Sequence, residues 1–119
     1  LLVEDTLLNQ YLIKGILEKV GVVPEIANNG KEALECLATQ NFDVVLLDLH
    51  MPVMDGRETA ERIRKGETLN SEIPLIGLTA DVFTETRESM LEAGVDDFLT
   101  KPVKMRQLIE KLRLISDNR

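Results

Sequence analysis

Short apolar runs alternate with longer amphipathic stretches along the chain. The runs Val44-Val45-Leu46-Leu47 and Ile73–Leu78 carry apolar residues at consecutive positions, which is typical of strands buried on both faces of a parallel sheet. Between such runs, apolar residues recur every three or four positions, as on one face of a helix. The predicted elements are strand Leu1–Val3, helix Thr6–Val20, strand Val22–Ala27, helix Glu32–Thr39, strand Asp43–Leu49, helix Arg57–Lys65, strand Ile73–Leu78, helix Phe83–Ala93, strand Val95–Thr100 and helix Met105–Ile115.

The order of these elements predicts the fold class. A β-α unit repeated along a chain calls for a parallel sheet with helices on both faces and right-handed crossovers. With 119 residues the chain is too short for an eight-fold barrel. We therefore predict one α/β domain built on a single open, doubly wound sheet.

Composition excludes several other classes of protein. Hydrophobic residues make up 44% of the chain, which argues against disorder, and the net charge of -7 argues against direct binding to nucleic acid. No apolar run approaches the roughly 18 residues that a membrane-spanning helix needs. Because the sequence opens inside an apolar run, Leu1-Leu2-Val3, we expect the N-terminal residues of the first strand to be missing from a domain that spans 1–119.

The single cysteine and the single histidine limit the chemistry further. One cysteine excludes an internal disulfide and any cysteine-based zinc site. Cys36 lies between Leu34 and Leu37 in a helical pattern, so we expect it to be packed or half-buried. One histidine, His50, argues against a histidine-based zinc or catalytic site.

Polar side chains follow the predicted strands at the point where each strand ends. Because the carboxyl ends of parallel strands meet at one edge, where ligands bind in open sheets, these side chains are expected to converge. They are Glu4 and Asp5, Asp48, Thr79, and Lys101.

This set of groups indicates phosphoryl chemistry. Three neighbouring carboxylates repel one another and favour a hard divalent cation such as Mg²⁺. Lys101 and Thr79 can bind phosphoryl oxygens, and the remaining carboxylate can act as nucleophile to give an aspartyl phosphate. Taken alone, each residue fits an ordinary structural role, such as a helix N-terminal charge or a solvated lysine. Their joint occurrence at one sheet edge favours a site.

Four motifs now carry a resemblance to a known family. They are Val3-Glu4-Asp5, Leu46-Leu47-Asp48-Leu49-His50-Met51-Pro52-Val53-Met54-Asp55-Gly56, Leu78-Thr79-Ala80 and Asp97-Phe98-Leu99-Thr100-Lys101-Pro102. Because all four motifs occur in this order, the chain resembles the receiver domain of two-component response regulators over essentially its full length. The resemblance implies a flavodoxin-like sheet of five strands in the order 2-1-3-4-5.

The resemblance also implies residue roles at the site. Asp48 is expected to be the phosphoacceptor, and Glu4, Asp5 and Asp48 to hold Mg²⁺. The backbone carbonyl of His50 is expected to complete the protein ligands. Lys101 is expected to pair with the phosphoryl oxygens. Such a domain is not expected to be a classical enzyme on its own, since it catalyses its own phosphorylation and dephosphorylation at Asp48, although it can belong to a hybrid histidine kinase.

The resemblance also implies roles for four residues in switching and in the lifetime of the phosphate. Thr79 is expected to move so that its hydroxyl forms a hydrogen bond with the phosphoryl group. Phe98 is expected to be the aromatic rotamer switch, in place of the commoner tyrosine. His50 and Asp81 occupy the variable positions that border the phosphoryl group and help to set how fast it is lost.

The start Thr6-Leu7-Leu8-Asn9-Gln10 resembles receivers of hybrid sensor histidine kinases. The implied partners are a histidine kinase or histidine phosphotransfer domain, and an output domain on the face of the fourth helix, fifth strand and fifth helix. The implied location is cytoplasmic, tethered to the membrane where the parent is a hybrid kinase, with no membrane insertion by this domain.

Two alternatives come from other functional classes. The domain could be a binding module that kept the fold without being phosphorylated, against which the complete set of acidic pair, acceptor and lysine argues. It could also be a phosphatase working through an aspartyl phosphate, which needs a second catalytic aspartate two residues after the nucleophile. His50 holds that position, which argues against a phosphatase.

Overall fold

Five parallel strands form one sheet in the order β2-β1-β3-β4-β5 within the residues that the computed structural model describes, 1–51, 54–80 and 84–117. The strands are β1 (Leu2–Val3), β2 (Ile26–Ala27), β3 (Val45–Asp48), β4 (Leu75–Thr79) and β5 (Asp97–Thr100). The helices in this part of the chain are α1 (Leu7–Lys19), α2 (Gly30–Thr39), α3 (Gly56–Arg64), α4 (Thr84–Ala93) and α5 (Met105–Asp117). The predicted doubly wound α/β fold and its strand order are confirmed.

The sheet is covered by helices on both faces, because successive strand residues point to opposite sides. Leu46 and Ile76 pack in a cluster with Leu108 of α5, on the face that α1 also covers. Leu47 packs in the opposite cluster with Ile63 of α3, on the face of α2, α3 and the end of α4. The central strands are therefore buried on both faces, as their unbroken apolar runs predict.

The second strand is shorter than predicted. Only Ile26–Ala27 pair with β1, and residues 22–25 lie outside the strand. Pro24 has no N–H to donate to a neighbour, and Val23 is 84% exposed. The apolar character of this segment therefore does not come from burial in the sheet. The other predicted boundaries lie within two residues of the observed ones.

Helix α1 forms as predicted, but several of its apolar side chains do not pack on the sheet. The buried residues are Gln10, Ile13 and Leu17. Leu8 and Tyr11, which mark the helical spacing in the sequence, are 65% and 76% exposed. Apolar residues occupy more of α1 than the core needs, and a glutamine occupies a buried position.

The start of α3 packs tightly against the end of β3. Asp55 accepts a hydrogen bond of 2.9 Å from the N–H of Glu58 and caps the start of α3. A side chain on Gly56 would place its Cβ 2.7 Å from the Cα of Leu49, so only glycine fits there without a shift of the backbone. The start of α3 thus holds the chain immediately after Asp48.

Candidate functional site

The carboxyl ends of four strands bring the predicted site residues together. Asp48 is the last residue of β3 and Thr79 the last of β4, while Glu4 follows β1 and Lys101 follows β5. Strand β3 pairs with both β1 and β4, and β4 pairs with β5. Carboxylate oxygens of Glu4, Asp5 and Asp48 lie within 4.8 Å of one another. The predicted convergence at one sheet edge is confirmed.

Lys101 is the cation of this cluster. Its Nζ lies 3.0 Å from Asp48 Oδ1 and 3.2 Å from Glu4 Oε1. Glu4 is 0% and Asp48 1% exposed, so these ion pairs are screened by water far less than surface pairs are. One ammonium group therefore faces two buried carboxylates, which leaves an excess of negative charge when both are ionised.

The two carboxyl groups respond to this excess in opposite ways. Burial raises the pKa of Glu4 to about 7, reinforced by the hydrogen bond and the negative charge of Asp48, while Lys101 lowers it. Burial also pushes the pKa of Asp48 upward, but hydrogen bonds from Glu4, from the His50 N–H and from Lys101 outweigh it and lower the pKa. Without a metal, Glu4 therefore takes up a proton near neutral pH, and Asp48 stays a carboxylate.

Lys101 itself stays charged. Burial lowers the pKa of its ammonium group, but the hydrogen bond and charge of Asp48, followed by those of Glu4, outweigh burial and raise the pKa. An ionised carboxylate beside a permanent positive charge is the state in which Asp48 can act as a nucleophile.

Main-chain groups complete the frame of the site. The His50 N–H donates to Asp48 Oδ1 at 3.1 Å. The Lys101 N–H donates to the Thr79 carbonyl at 2.8 Å, which ties the end of β5 to the end of β4. The peptide bond between Lys101 and Pro102 is cis. The hydrogen bond between them therefore joins Thr79, at the end of β4, to Lys101, which follows β5.

The three carboxylates form a group that could hold a metal ion. Their oxygens are hard donors, and their mutual distance suits a small divalent cation that retains several waters. Asp5 is exposed whereas Glu4 and Asp48 are buried, so the group opens to solvent on the Asp5 side. Bound positive charge would also relieve the repulsion between Glu4 and Asp48.

The structure describes three of the four residues that are predicted to act in switching and phosphate lifetime. Thr79 is 1% exposed, and Phe98 is half-buried, with the guanidinium carbon of Arg87 5.4 Å from its ring centre. The His50 side chain is exposed, while Asp81 lies outside the described residues. Their predicted roles, and that of the His50 carbonyl as a metal ligand, stay predictions.

Sequence reasoning missed the part that Gln10 plays beside the acidic pair. The Gln10 side chain donates to the carbonyl of Glu4 at 2.5 Å and to Asn28 Oδ1 at 2.8 Å. Spacing places Gln10 on the same helix face as Ile13 and Leu17, which follow it by three and seven positions, but it does not show that this face is the buried one.

Comparison with known families agrees with this geometry. The family described as "Response regulator receiver domain" matches residues 1–113, which is most of the chain and includes every predicted site residue.

Curated relatives are larger proteins that contain a similar stretch. The sensor histidine kinase GacS of Pseudomonas protegens is 38% identical over 112 residues, which is 92% of this chain and 12% of that protein. RcsC of Escherichia coli is 36% identical over 98% of this chain and 12% of its own length. Hybrid signal transduction histidine kinase M of Dictyostelium discoideum is 38% identical over the whole chain, and 5% of its length is matched. The chain thus spans about an eighth or less of these relatives.

Several solved structures of similar fold are receiver domains. A receiver domain of a Francisella response regulator aligns with a TM-score of 0.88 and 32% identity, covering 98% of this chain and 94% of that one. The receiver domain of a sensor histidine kinase from Pseudomonas aeruginosa aligns with a TM-score of 0.87 and 35% identity, over 97% and 94%. That structure has a magnesium ion coordinated in its active site cleft. Among the described residues of this chain, no helix is long and apolar enough to cross a membrane.

Proposed function

The chain belongs to the response regulator receiver domain family, and on this premise we propose that Asp48 accepts a phosphoryl group from a phosphohistidine. The observation that carries the proposal is the position of the Asp48 carboxylate, buried at the carboxyl edge of the sheet with Lys101 Nζ 3.0 Å from Oδ1. A carboxylate that keeps its charge beside a fixed cation is suited to nucleophilic attack on phosphorus.

The transfer is a simple exchange of bonds. An oxygen of Asp48 forms a bond to phosphorus while the phosphorus–nitrogen bond of the donor breaks, and the electron pair of that bond stays on the imidazole nitrogen. Water later cleaves the aspartyl phosphate, which returns the carboxylate of Asp48 and releases inorganic phosphate. Lys101 pairs with the phosphoryl oxygens in both steps.

We propose Mg²⁺ as the metal of the acidic group. Glu4, Asp5, Asp48 and the backbone carbonyl of His50 would hold it with retained waters. When bound, Mg²⁺ supplies positive charge against the phosphoryl oxygens. The donor set supports this proposal, since carboxylate and carbonyl oxygens are the ligands that Mg²⁺ prefers.

Two further residues would convert the phosphorylation of Asp48 into a change of shape. The hydroxyl of Thr79 would move to hydrogen-bond the phosphoryl group, and Phe98 would fill the space that Thr79 leaves. The half-buried position of Phe98 at β5 supports this role, because it borders both the core and the surface of α4, β5 and α5. A partner or output domain would read that surface as a shift between two populated states.

His50 and Asp81 would set how long the phosphate persists. The His50 N–H already donates to Asp48 Oδ1, which puts the residue at the border of the phosphoryl position. Its exposed imidazole can then favour or obstruct the attacking water.

The phosphoryl donor would approach over the first turns of α1. Leu7 is 78% and Tyr11 76% exposed, and this helix begins directly after Glu4 and Asp5 at the reacting edge. A large exposed apolar surface favours a partner protein. A histidine kinase or histidine phosphotransfer domain is the partner that supplies a phosphohistidine, and we propose that the chain is the receiver domain, over 1–119, of a hybrid kinase.

The proposal is tested by intact-mass measurement after incubation with acetyl phosphate and Mg²⁺. We expect a mass increase of one phosphoryl group in the native chain and none in Asp48→Asn. Asp55→Asn is the matched control, because asparagine also caps a helix and Asp55 lies outside the acidic group. Equal labelling of Asp48→Asn and native protein would show that Asp48 is not the acceptor, whereas no labelling of either protein would favour a binding module.

A further inference from the structure

We propose that Gln10 is a positioning residue, which holds the Glu4–Asp5 turn in the orientation that directs both carboxylates toward Asp48. That the Glu4–Asp5 turn binds Mg²⁺ rests on the proposed function. That Gln10 orients this turn rests on hydrogen bonds within the chain. Gln10 would touch neither the metal nor the phosphoryl group.

The side-chain amide of Gln10 has both of its donor hydrogens engaged. Gln10 is 7% exposed and lies on the face of α1 that packs on the sheet. Its Nε2 donates to the carbonyl oxygen of Glu4 at 2.5 Å and to Asn28 Oδ1 at 2.8 Å. A primary amide carries two N–H donors, so these two bonds use its full capacity.

The bond to Glu4 acts where the sheet ends. Strand β1 stops at Val3, and the Glu4 N–H donates to the carbonyl of Ala27 at 3.0 Å. After that bond, the orientation of the peptide group between Glu4 and Asp5 depends on which donor forms a hydrogen bond to the Glu4 carbonyl. Gln10 supplies the donor, from a position that is six residues later in sequence and already anchored by α1.

The orientation of that peptide governs both acidic side chains. The Asp5 N–H belongs to the same peptide group and donates to Glu4 Oε2 at 3.0 Å. Fixing the carbonyl therefore also fixes the N–H that holds the Glu4 carboxylate. Side chains that orient metal-binding groups without touching the metal commonly matter nearly as much as the ligands themselves.

The bond to Asn28 fixes Gln10 in turn. Asn28 Nδ2 donates to Glu32 Oε1 at 3.1 Å, in the first turn of α2. A relay of polar groups thus runs from Glu4 through Gln10 and Asn28 to Glu32. A glutamine has several rotamers, and an anchor at each side of its amide selects one of them.

Two variants remove the donors while keeping the size of the side chain. Gln10→Leu is apolar, and Gln10→Glu offers oxygens that cannot donate when ionised. Gln107→Leu is the matched control, because Gln107 is exposed on α5. Asn28→Ala keeps Gln10 but removes its second anchor, and a double-variant cycle with Gln10→Leu shows whether the two act as one unit.

Two measurements decide the proposal. In metal-free protein, hydrogen exchange of the Asp5 amide, read by NMR, should be faster by about tenfold in Gln10→Leu than in the native chain. Titration calorimetry should show Mg²⁺ affinity lowered by about 10-fold or more, with a smaller loss in Asn28→Ala and none in Gln107→Leu.

A residue that only stabilises the fold would instead accelerate exchange at amides throughout the core. Exchange of the Asp5 amide and Mg²⁺ affinity both within about twofold of native, in folded Gln10→Leu, would overturn the proposal. If Asp48 proves not to be phosphorylated, the proposed function fails, but the metal-free exchange measurement still decides the role of Gln10.

Discussion

Lys101 and Arg64 are both partly buried cations, but their surroundings differ in kind. Arg64 donates to the backbone carbonyls of Ser71, Ile73 and Gly94 at 2.8 to 3.0 Å and to Asp96 Oδ2 at 2.9 Å. We call this group the Arg64 clip; it joins the end of α3 to the segments that precede β4 and β5. The positive charge of Arg64 is balanced by the Asp96 carboxylate and by the dipoles of the carbonyl groups, so no ligand is required to balance it.

The Lys101 site has the opposite balance. One ammonium is shared by two buried carboxylates, and Glu4 responds with a raised pKa. A structural clip satisfies every group with protein partners, whereas this site leaves negative charge that a cation can neutralise. The contrast teaches that an unbalanced charge at a buried position, rather than a buried ion pair as such, marks the place where ligands bind.

The largest expected effect comes from removing the shared cation. In Lys101→Met, we expect the rate of phosphorylation by acetyl phosphate to fall by about 10²–10³-fold, because a fixed charge against the phosphoryl oxygens is lost. Initial rates from intact mass give the measurement. Lys104→Met, at an exposed position outside the site, is the control. A Lys101→Met rate close to native would mean that Lys101 serves the fold, as Arg64 does.

The next effect concerns the Arg64 clip and should be on stability alone. We expect Arg64→Ala to lower the free energy of unfolding by about 2–4 kcal/mol, since it leaves three partly buried carbonyls without this donor. Urea unfolding measures this change, with the exposed Arg113→Ala as control. Folded Arg64→Ala should be phosphorylated at the native rate. A slower rate would mean that Arg64 also contributes to phosphorylation and does not only stabilise the fold.

The pH dependence of metal-free stability should distinguish the two sites in a third way. The folded-state pKa of Glu4 is about 7, above its ordinary 4.5. Between these values the folded chain binds more protons, so stability from Glu4 is complete below pH 4.5 and is lost as pH rises through 7. The lowered pKa of Asp48 acts the other way: its contribution to stability is complete above the ordinary value of 3.8 and is lost as pH falls below it.

Glu4→Gln tests this assignment. In EDTA at pH 8 we expect the variant to be more stable than the native chain by about 1–3 kcal/mol, with the difference vanishing near pH 4.5. Urea unfolding at several pH values gives the measurement. The same substitution should weaken Mg²⁺ binding, which is the usual exchange of stability for function. A stability difference that does not change with pH would contradict a raised pKa for Glu4.

The smallest effect concerns a third cation, Arg87, which lies over an aromatic ring. Its guanidinium carbon lies 5.4 Å from the centre of the Phe98 ring, within the range of a cation–π contact. We expect Arg87→Ala to lower the free energy of unfolding by about 0.5–1 kcal/mol. The exposed Arg106→Ala is the control, and equal values for the two variants would exclude a specific contact with Phe98.

Much of the fold follows from the sequence, because the central strands are buried on both faces. Continuous apolar runs such as Val44–Leu47 fit a strand covered by helices on each side, and the parallel topology then brings the strand ends together. Asp48, Glu4 and Lys101 could be placed at one edge on that ground alone. Strand β2 could not be bounded in the same way, because its apolar residues before Ile26 are exposed or beside Pro24.

The orientation of α1 and the second set of polar contacts could not be predicted. Apolar residues lie around much of α1, so spacing alone does not say that Leu8 is exposed and Gln10 buried. The Arg64 clip depends on carbonyls of loops whose course no pattern encodes. The raised pKa of Glu4 needs distances to Asp48 and Lys101 that only the folded chain defines.

The hydrogen bond from the Lys101 N–H to the Thr79 carbonyl has a consequence for how long the phosphorylated state lasts. It extends the pairing of β4 and β5 beyond their last paired residues at 2.8 Å, which favours a response by rotation of side chains over one in which the two strands separate. Rotamer changes take picoseconds to nanoseconds where side chains are free, far less than collective motions of secondary structure. We therefore expect the duration of the signal to be set by how slowly water reaches the phosphorus on Asp48.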